Sequence, residues 1–188
     1  RSLVRQGRKR KDFFSVAIVC YTTAGKSALL NALTGAQAFV EDKLFATLDP
    51  MTRASKTNGR HNILFTDTVG FLRDLPHGLI EAFKSTLEEA TAADCLIHVL
   101  DVSHPYVEEQ KEVVDQTLRE MGAGEKPLVL ALNKSDLIGP EEARRLLEKY
   151  PEGVLISAKT GAGTGELQER LESLVKENRH GEPHPEAL

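Results

Sequence analysis

The sequence predicts an α/β fold, a mostly parallel sheet of six strands with one antiparallel edge hairpin and about five flanking helices. Three observations carry this reading. Short apolar runs alternate with amphipathic stretches along most of the chain. The longest of these runs, around Cys95–Leu100 and Leu128–Leu132, have strand length rather than helix length. The 188 residues fit one domain at roughly 150 residues each.

Taken in order, the apolar run Phe14–Cys20 reads as the first strand, and the stretch Lys26–Leu33 after it as a helix. Ala54–Asn58 and Asn62–Thr66 read as paired strands. Asn58-Gly59 lies between them, and both residues tolerate the positive φ of a type I′ turn. A helix is expected over Leu79–Ala92, then a strand at Cys95–Asp101 and a helix at Val107–Met121. The strand Leu128–Asn133, the helix Pro140–Lys149, the strand Val154–Ser157 and the helix Gly165–Asn178 complete the alternation.

Composition narrows the partners. Hydrophobic residues make up 40% of the chain, enough for a packed core. No stretch approaches the roughly 18 uncharged apolar residues of a membrane span, so the chain reads as soluble with no membrane partner. The net charge of −4 is too mild for a protein that coats nucleic acid over its whole surface. Residues 1–12 nevertheless hold a net +5, with Arg1, Arg5, Arg8, Lys9, Arg10 and Lys11 against Asp12, so the remainder carries −9. This predicts a basic arm or linker over 1–12, a folded domain over 13–178 and a flexible tail over 179–188. Aromatic residues are 5% with no Trp, which argues against base-stacking RNA modules. The two cysteines, Cys20 and Cys95, both sit inside apolar runs. Neither a disulfide framework nor a zinc site is expected, and the reducing compartment this implies is the cytoplasm, with an organellar matrix as the alternative. The chain is expected to be a monomer.

The run Cys20-Tyr21-Thr22-Thr23-Ala24-Gly25-Lys26-Ser27 follows an apolar strand and opens a helix, the setting of a phosphate-binding loop. There the backbone N–H groups and the helix N-terminus face an anion, the Lys26 ammonium reaches the outer phosphates, and the Ser27 hydroxyl binds Mg²⁺. This places the fold among P-loop NTPases. The pattern's first Gly is Cys20 here, and a side chain at that place is expected to crowd the turn or oppose its dihedral.

Asn133-Lys134-Ser135-Asp136 lies at the carboxyl end of a predicted strand, where open α/β sheets bind ligands. An Asp at position 136 accepts from both the ring N–H and the exocyclic amine of guanine, whereas adenine offers no such donor pair. Lys134 would lie along the base plane, and Ser157-Ala158-Lys159 would bring a backbone N–H to the guanine carbonyl oxygen. Asp67-Thr68-Val69-Gly70 ends another strand. Its Asp would hold a Mg²⁺-bound water and its Gly N–H would meet the γ-phosphate, so the segment beyond is a nucleotide-dependent switch. Phe71 follows where many GTPases carry a water-orienting Gln, and a phenyl ring cannot orient water by hydrogen bonding. Unassisted turnover is therefore expected at about 10⁻³ per second or slower. For the second Mg²⁺ hydroxyl, Thr47 and Thr52 compete. Thr47 is favoured because it leaves 20 positions before Asp67 for the switch exit and the hairpin, against 15 from Thr52.

With these motifs stand longer runs: Leu29-Leu30-Asn31-Ala32-Leu33-Thr34-Gly35-Ala36, Lys43-Leu44-Phe45-Ala46-Thr47-Leu48-Asp49-Pro50, Thr66-Asp67-Thr68-Val69-Gly70-Phe71, Arg73-Asp74-Leu75-Pro76-His77, Glu81-Ala82-Phe83 and Thr86-Leu87-Glu88-Glu89. On them the chain resembles the GTPase domain of the HflX family, in the Obg/HflX group of ribosome-associated GTPases. The resemblance implies a translation factor that binds the large ribosomal subunit and its rRNA and splits stalled or idle ribosomes in a GTP-dependent way. It also implies an N-terminal HflX domain before Arg1, absent from this chain, and nucleotide contacts from Phe45, Ala46, Thr47, Leu48 and Asp49, with Lys26 and Thr47 serving catalysis. Three positions depart from the family pattern: Cys20 for the loop's first Gly, Thr23 for the usual Asn, and Met51 for a usual Thr. In related GTPases an Asn at the place of Thr23 helps hold K⁺, so K⁺ is a further candidate cofactor that the shorter Thr hydroxyl counts against.

Two other readings compete with a GTP-hydrolysing enzyme. One is a nucleotide-responsive binding module whose hydrolysis is impaired by Cys20, Thr23 and Phe71. The other is a nucleotide-independent RNA-binding domain using the basic arm. Among lesser candidates, His77 is read as loop structure or a partner contact, His98 as a buried hydrogen-bonded residue, Cys95 as core, and Glu88-Glu89 as a solvated helix face.

Overall fold

A computed structural model of the chain describes residues 13–35, 51–57, 61–68, 70 and 88–181. Among these, β1 (Phe14–Cys20), α1 (Lys26–Thr34), β2 (Met51–Thr57), β3 (His61–Asp67), β4 (Cys95–Asp101), α2 (Val107–Glu120), β5 (Leu128–Asn133), α3 (Pro140–Lys149), β6 (Gly153–Leu155) and α4 (Thr164–Gly181) follow in turn. Residues 88–92 are also helical. The strands form one sheet in the order β2-β3-β1-β4-β5-β6. All pairings are parallel except β2 with β3, so the expected class and its single antiparallel edge pair are both present.

Alternation along the strands decides which side each residue covers. Val16, Ile18 and Cys20 of β1 and Cys95, Ile97 and Val99 of β4 share one core with Leu29, Leu30 and Leu33 of α1 and Leu167, Leu171 and Val175 of α4. Ala17, Val19 and Leu96 face the other way, packing with Ala90 and Ala93 and with Val114 and Leu118 of α2. Helices therefore cover both faces, and the strands read as unbroken apolar runs because both of their sides are buried. Fully buried Leu or Ile side chains such as these stabilise by about 1.5–3 kcal/mol each. No helix among the described residues is long and apolar enough to cross a membrane.

Several boundaries differ from expectation. β2 begins at Met51, three residues early, because Met51, Thr52 and Arg53 pair with Asp67, Thr66 and Phe65. The ladder runs to the pair Thr57 and His61, and the turn expected at Asn58-Gly59 lies outside the described residues. β6 spans Gly153–Leu155, since the chain then turns toward β5 and the Ile156 carbonyl accepts from Ser135 N at 3.1 Å. α4 runs on to Gly181, past the expected end at Asn178. Of the helix expected at Leu79–Ala92, only residues 88–92 lie within the described residues.

Candidate nucleotide site at the carboxyl strand ends

The chain leaves β1 toward β3 on one side and later enters β4 on the other, so strand order reverses at β1. Crevices outside the carboxyl ends of strands at such a point are where open α/β sheets take ligands. Here the residues after β1, β3, β4, β5 and β6 converge.

The loop after β1 turns tightly, with Ala24 N donating to Tyr21 O at 3.3 Å. Thr23 and Gly25 are both left-handed, with φ of 66° and 93°. Left-handed residues alternating with ordinary ones form the backbone concavity that gathers N–H groups around an anion. Gly25 opens α1 with no side-chain cap and no acid in its first turn. The helix N-terminus therefore keeps donors and a positive dipole end for a ligand. A Cβ at Gly25 would lie 2.5 Å from Asn133 Nδ2, so only glycine admits the loop this close to β5.

Cys20 departs from the crowding expected of it. Its backbone is not left-handed, because β1 still runs through it, and its side chain enters the core under α1. Burial pushes the thiol pKa up to about 11 against the lowering influence of Lys26, so it is a neutral apolar filler. The backbone conformation an L-residue resists falls instead at Thr23, whose side chain is exposed.

Lys26 is 7% exposed and ion-pairs with Asp67, which is fully buried. Ser27 Oγ donates to Asp67 Oδ2 at 3.0 Å. The parallel register sets Asp67 beside Ile18, and Thr68 Oγ1 donates to Ile18 O at 2.6 Å, lacing the end of β3 to the strand that carries the loop. A Cβ on Gly70 would come within 3.0 Å of Thr22 Cα, so this segment lies directly against the phosphate loop. A hydroxyl and a carboxylate in contact are hard oxygen donors of the kind Mg²⁺ prefers. No group of three His, Cys, Asp or Glu able to hold a metal occurs among the described residues.

At the end of β5, Asn133 is 2% exposed and acts as a bracket: Nδ2 donates to Ala24 O at 2.8 Å, and Oδ1 accepts from Ala158 N at 2.9 Å. The Ala158 amide, one of those the Ser157-Ala158-Lys159 run offers, thus donates to Asn133 here. Ser135–Leu137 forms a 3-10 turn, and Asp136 Oδ1 accepts from Ser157 Oγ at 2.6 Å, which fixes the carboxylate's orientation. Lys134 is left-handed, and its Nζ donates to Asp101 Oδ2 at 2.7 Å. Lys159 is exposed beside this group. Asp101 was not among the sequence candidates, although its place at the end of a buried strand is the signal that marked Asp67 and Asn133.

Phe45, Ala46, Thr47, Leu48, Asp49, Val69, Phe71 and His77 lie outside the described residues. Thr52 lies in β2 with its Oγ1 3.2 Å from Thr66 Oγ1, occupied as a strand residue. Met51 also falls in β2, Cys95 is core and Glu88 is exposed. His98 is buried as expected, but its ring nitrogens make no aligned hydrogen bond. Asp115 Oδ1 lies 3.3 Å from Nδ1.

A family model described as 50S ribosome-binding GTPase matches residues 15–134. GTPase HflX of Caldanaerobacter subterraneus subsp. tengcongensis is 50% identical over 182 residues, a match covering 94% of this chain and 40% of that protein. A GTP-binding protein from the hyperthermophilic archaeon Sulfolobus solfataricus, solved in complex with GDP, superposes with a TM-score of 0.72 at 29% identity over 94% of this chain and 57% of its own. Era in complex with MgGDPNP and nucleotides 1506–1542 of 16S ribosomal RNA superposes at 0.62 with 29% identity, over 94% and 59%. Fold and site together define a P-loop GTPase domain. The chain belongs to the family of 50S ribosome-binding GTPases, and its relatives within that family are HflX proteins. It spans about two fifths of the length of the HflX relative matched above.

Proposed function

We propose that this chain binds GTP across the crevice, with its polyphosphate against residues 20–27 and its guanine against residues 133–136 and 157–159, and hydrolyses it to GDP and phosphate. One observation carries the reading: Lys26 and half-buried Ser27 meet on the buried Asp67 carboxylate, and Asn133 ties that loop directly to the proposed guanine-reading segment. Names given to the HflX relatives support hydrolysis over a module with impaired turnover, and the ordinary backbone at Cys20 removes one ground for impairment.

The residues divide the work. Amides of Tyr21 to Gly25 and the start of α1 cradle the phosphates, and the Lys26 ammonium stabilises charge on the outer oxygens as water attacks the γ-phosphorus in line and the bond to GDP breaks. Ser27, with Thr47, would hold Mg²⁺, which supplies positive charge to the phosphates when bound. Asp67 would hold a water of that ion, and the Gly70 N–H would meet the γ-phosphate. By the resemblance, Phe45, Ala46, Thr47, Leu48 and Asp49 would contact the nucleotide. K⁺ is a weaker candidate, because the Thr23 hydroxyl replaces an amide oxygen.

The reading extends to a cytoplasmic protein acting with the large ribosomal subunit in splitting or recycling. The family description and the HflX relatives support that extension. Titrating labelled GDP, GTP and ATP with Mg²⁺ tests the core reading, with guanine nucleotides expected to bind and ATP not to compete. An Asp136→Asn protein should exchange guanine preference for xanthine, whose 2-carbonyl accepts from the new amide. Equal competition by ATP would overturn the assignment. Single-turnover hydrolysis with and without large subunits tests the ribosomal part, and no acceleration by subunits would sink it.

A further inference from the structure

The geometry points to Asp101 as a positioning residue for nucleotide binding, one that clamps Lys134 across the floor of the base pocket through a carboxylate itself locked by Ser103. This rests on the guanine-nucleotide reading of the same crevice. β4 ends at Asp101, and the parallel register sets it beside Asn133, with Val102 N donating to Asn133 O at 3.0 Å. The side chain is fixed at both oxygens. Oδ1 accepts from Ser103 Oγ at 2.6 Å and from Ser103 N at 3.1 Å, and Oδ2 accepts from Lys134 Nζ at 2.7 Å. Asp101 is 8% exposed. Burial alone would raise its pKa, yet the Lys134 and Ser103 hydrogen bonds hold the carboxyl below its ordinary value, so it stays charged opposite the ammonium.

A lysine has a long, freely rotating stem, and this one starts from a left-handed backbone at the N-cap of a single 3-10 turn. Without a clamp its ammonium would swing into solvent or toward the phosphates that Lys26 serves. Paired with Asp101, the stem is held before the ligand arrives, and binding forfeits less rotamer freedom. Asp136 takes its orientation from Ser157, a separate partner, so Asp101 acts on how tightly a purine nucleotide is held and not on which purine is chosen.

The test uses the 188-residue chain and equilibrium titration with GDP and with IDP, whose base lacks the exocyclic amine. Asp101→Asn keeps the shape and an oxygen for Ser103 but removes the charge facing Lys134, and it should raise Kd for both nucleotides about tenfold with their ratio unchanged. In a Lys134→Met background the same substitution should add nothing. Ser103→Ala, which leaves the ion pair and the backbone N–H but removes the hydroxyl hydrogen bond, should weaken binding in the same direction by about threefold. Equal losses in both backgrounds, a collapsed GDP-to-IDP ratio or unchanged affinity would each overturn the clamp. Wild-type protein that binds ADP as well as GDP would instead overturn the guanine reading beneath it.

Discussion

Replacing Thr23 by Asn should make the protein more stable. Thr23 is β-branched and sits at φ 66°. A left-handed backbone costs an L-residue roughly 1–2 kcal/mol, least for Asn, whose short amide tolerates it. The side chain is exposed, so substitution removes little packing. Asn should therefore recover about 1 kcal/mol, which for a chain of this length is a rise in melting temperature of about 2–4 °C. Gly should recover somewhat less, because its unfolded chain has about 0.5–1 kcal/mol more conformational freedom to lose. Val, equally branched but without the hydroxyl, should gain nothing. Thermal unfolding of the four proteins without nucleotide measures this directly. Thr23→Asn melting no higher than wild type, or Thr23→Val melting as high as Thr23→Asn, would show that backbone strain is not what the position stores.

Gly25→Ala should lower GDP affinity by about a hundredfold or more, because the left-handed backbone and the approach to Asn133 both exclude a methyl group; calorimetric titration reads it. Lys26→Ala should cost about 3 kcal/mol in urea unfolding without nucleotide, since it strips the ammonium from a fully buried carboxylate that retains Ser27; an unchanged midpoint would contradict this. His98 is held neutral by burial, which lowers its pKa more than nearby Asp115 raises it, with Lys111 adding to the lowering. The unfolded chain takes up that proton first, so stability should be full above about pH 6.5 and decline as pH falls below it. His98→Leu should flatten the slope between about pH 6.5 and 5, and a parallel slope in both proteins would assign it elsewhere.

Much of the architecture was legible in the chain because its signals are local. Parallel strands buried on both faces read as continuous apolar runs, and α1 shows its inward face in Leu29, Leu30 and Leu33. Glycine and lysine at positions 25 and 26, and the acids at 67 and 136, declare their chemistry through residue type and place after a strand. The early start of β2 was missed because Met51, Thr52 and Arg53 carry no strand pattern of their own and are strands only by pairing with β3. Similarly, the fear attached to Cys20 belonged to Thr23, since dihedral demand depends on where β1 ends and the turn begins.

What the amino-acid order determined, then, was the inventory: alternating strands and helices, the loop and segment proposed here to take phosphate and guanine, and the residues chemically able to meet an anion or a hard cation. Which of these touch was decided only when the sheet closed. Asn133 reaches the Ala24 carbonyl across 109 positions, Ser27 meets Asp67 across 40, and Lys134 meets Asp101 across 33. Such contacts follow from strand order and register, which are properties of pairing between distant segments and leave no periodic trace in either partner alone.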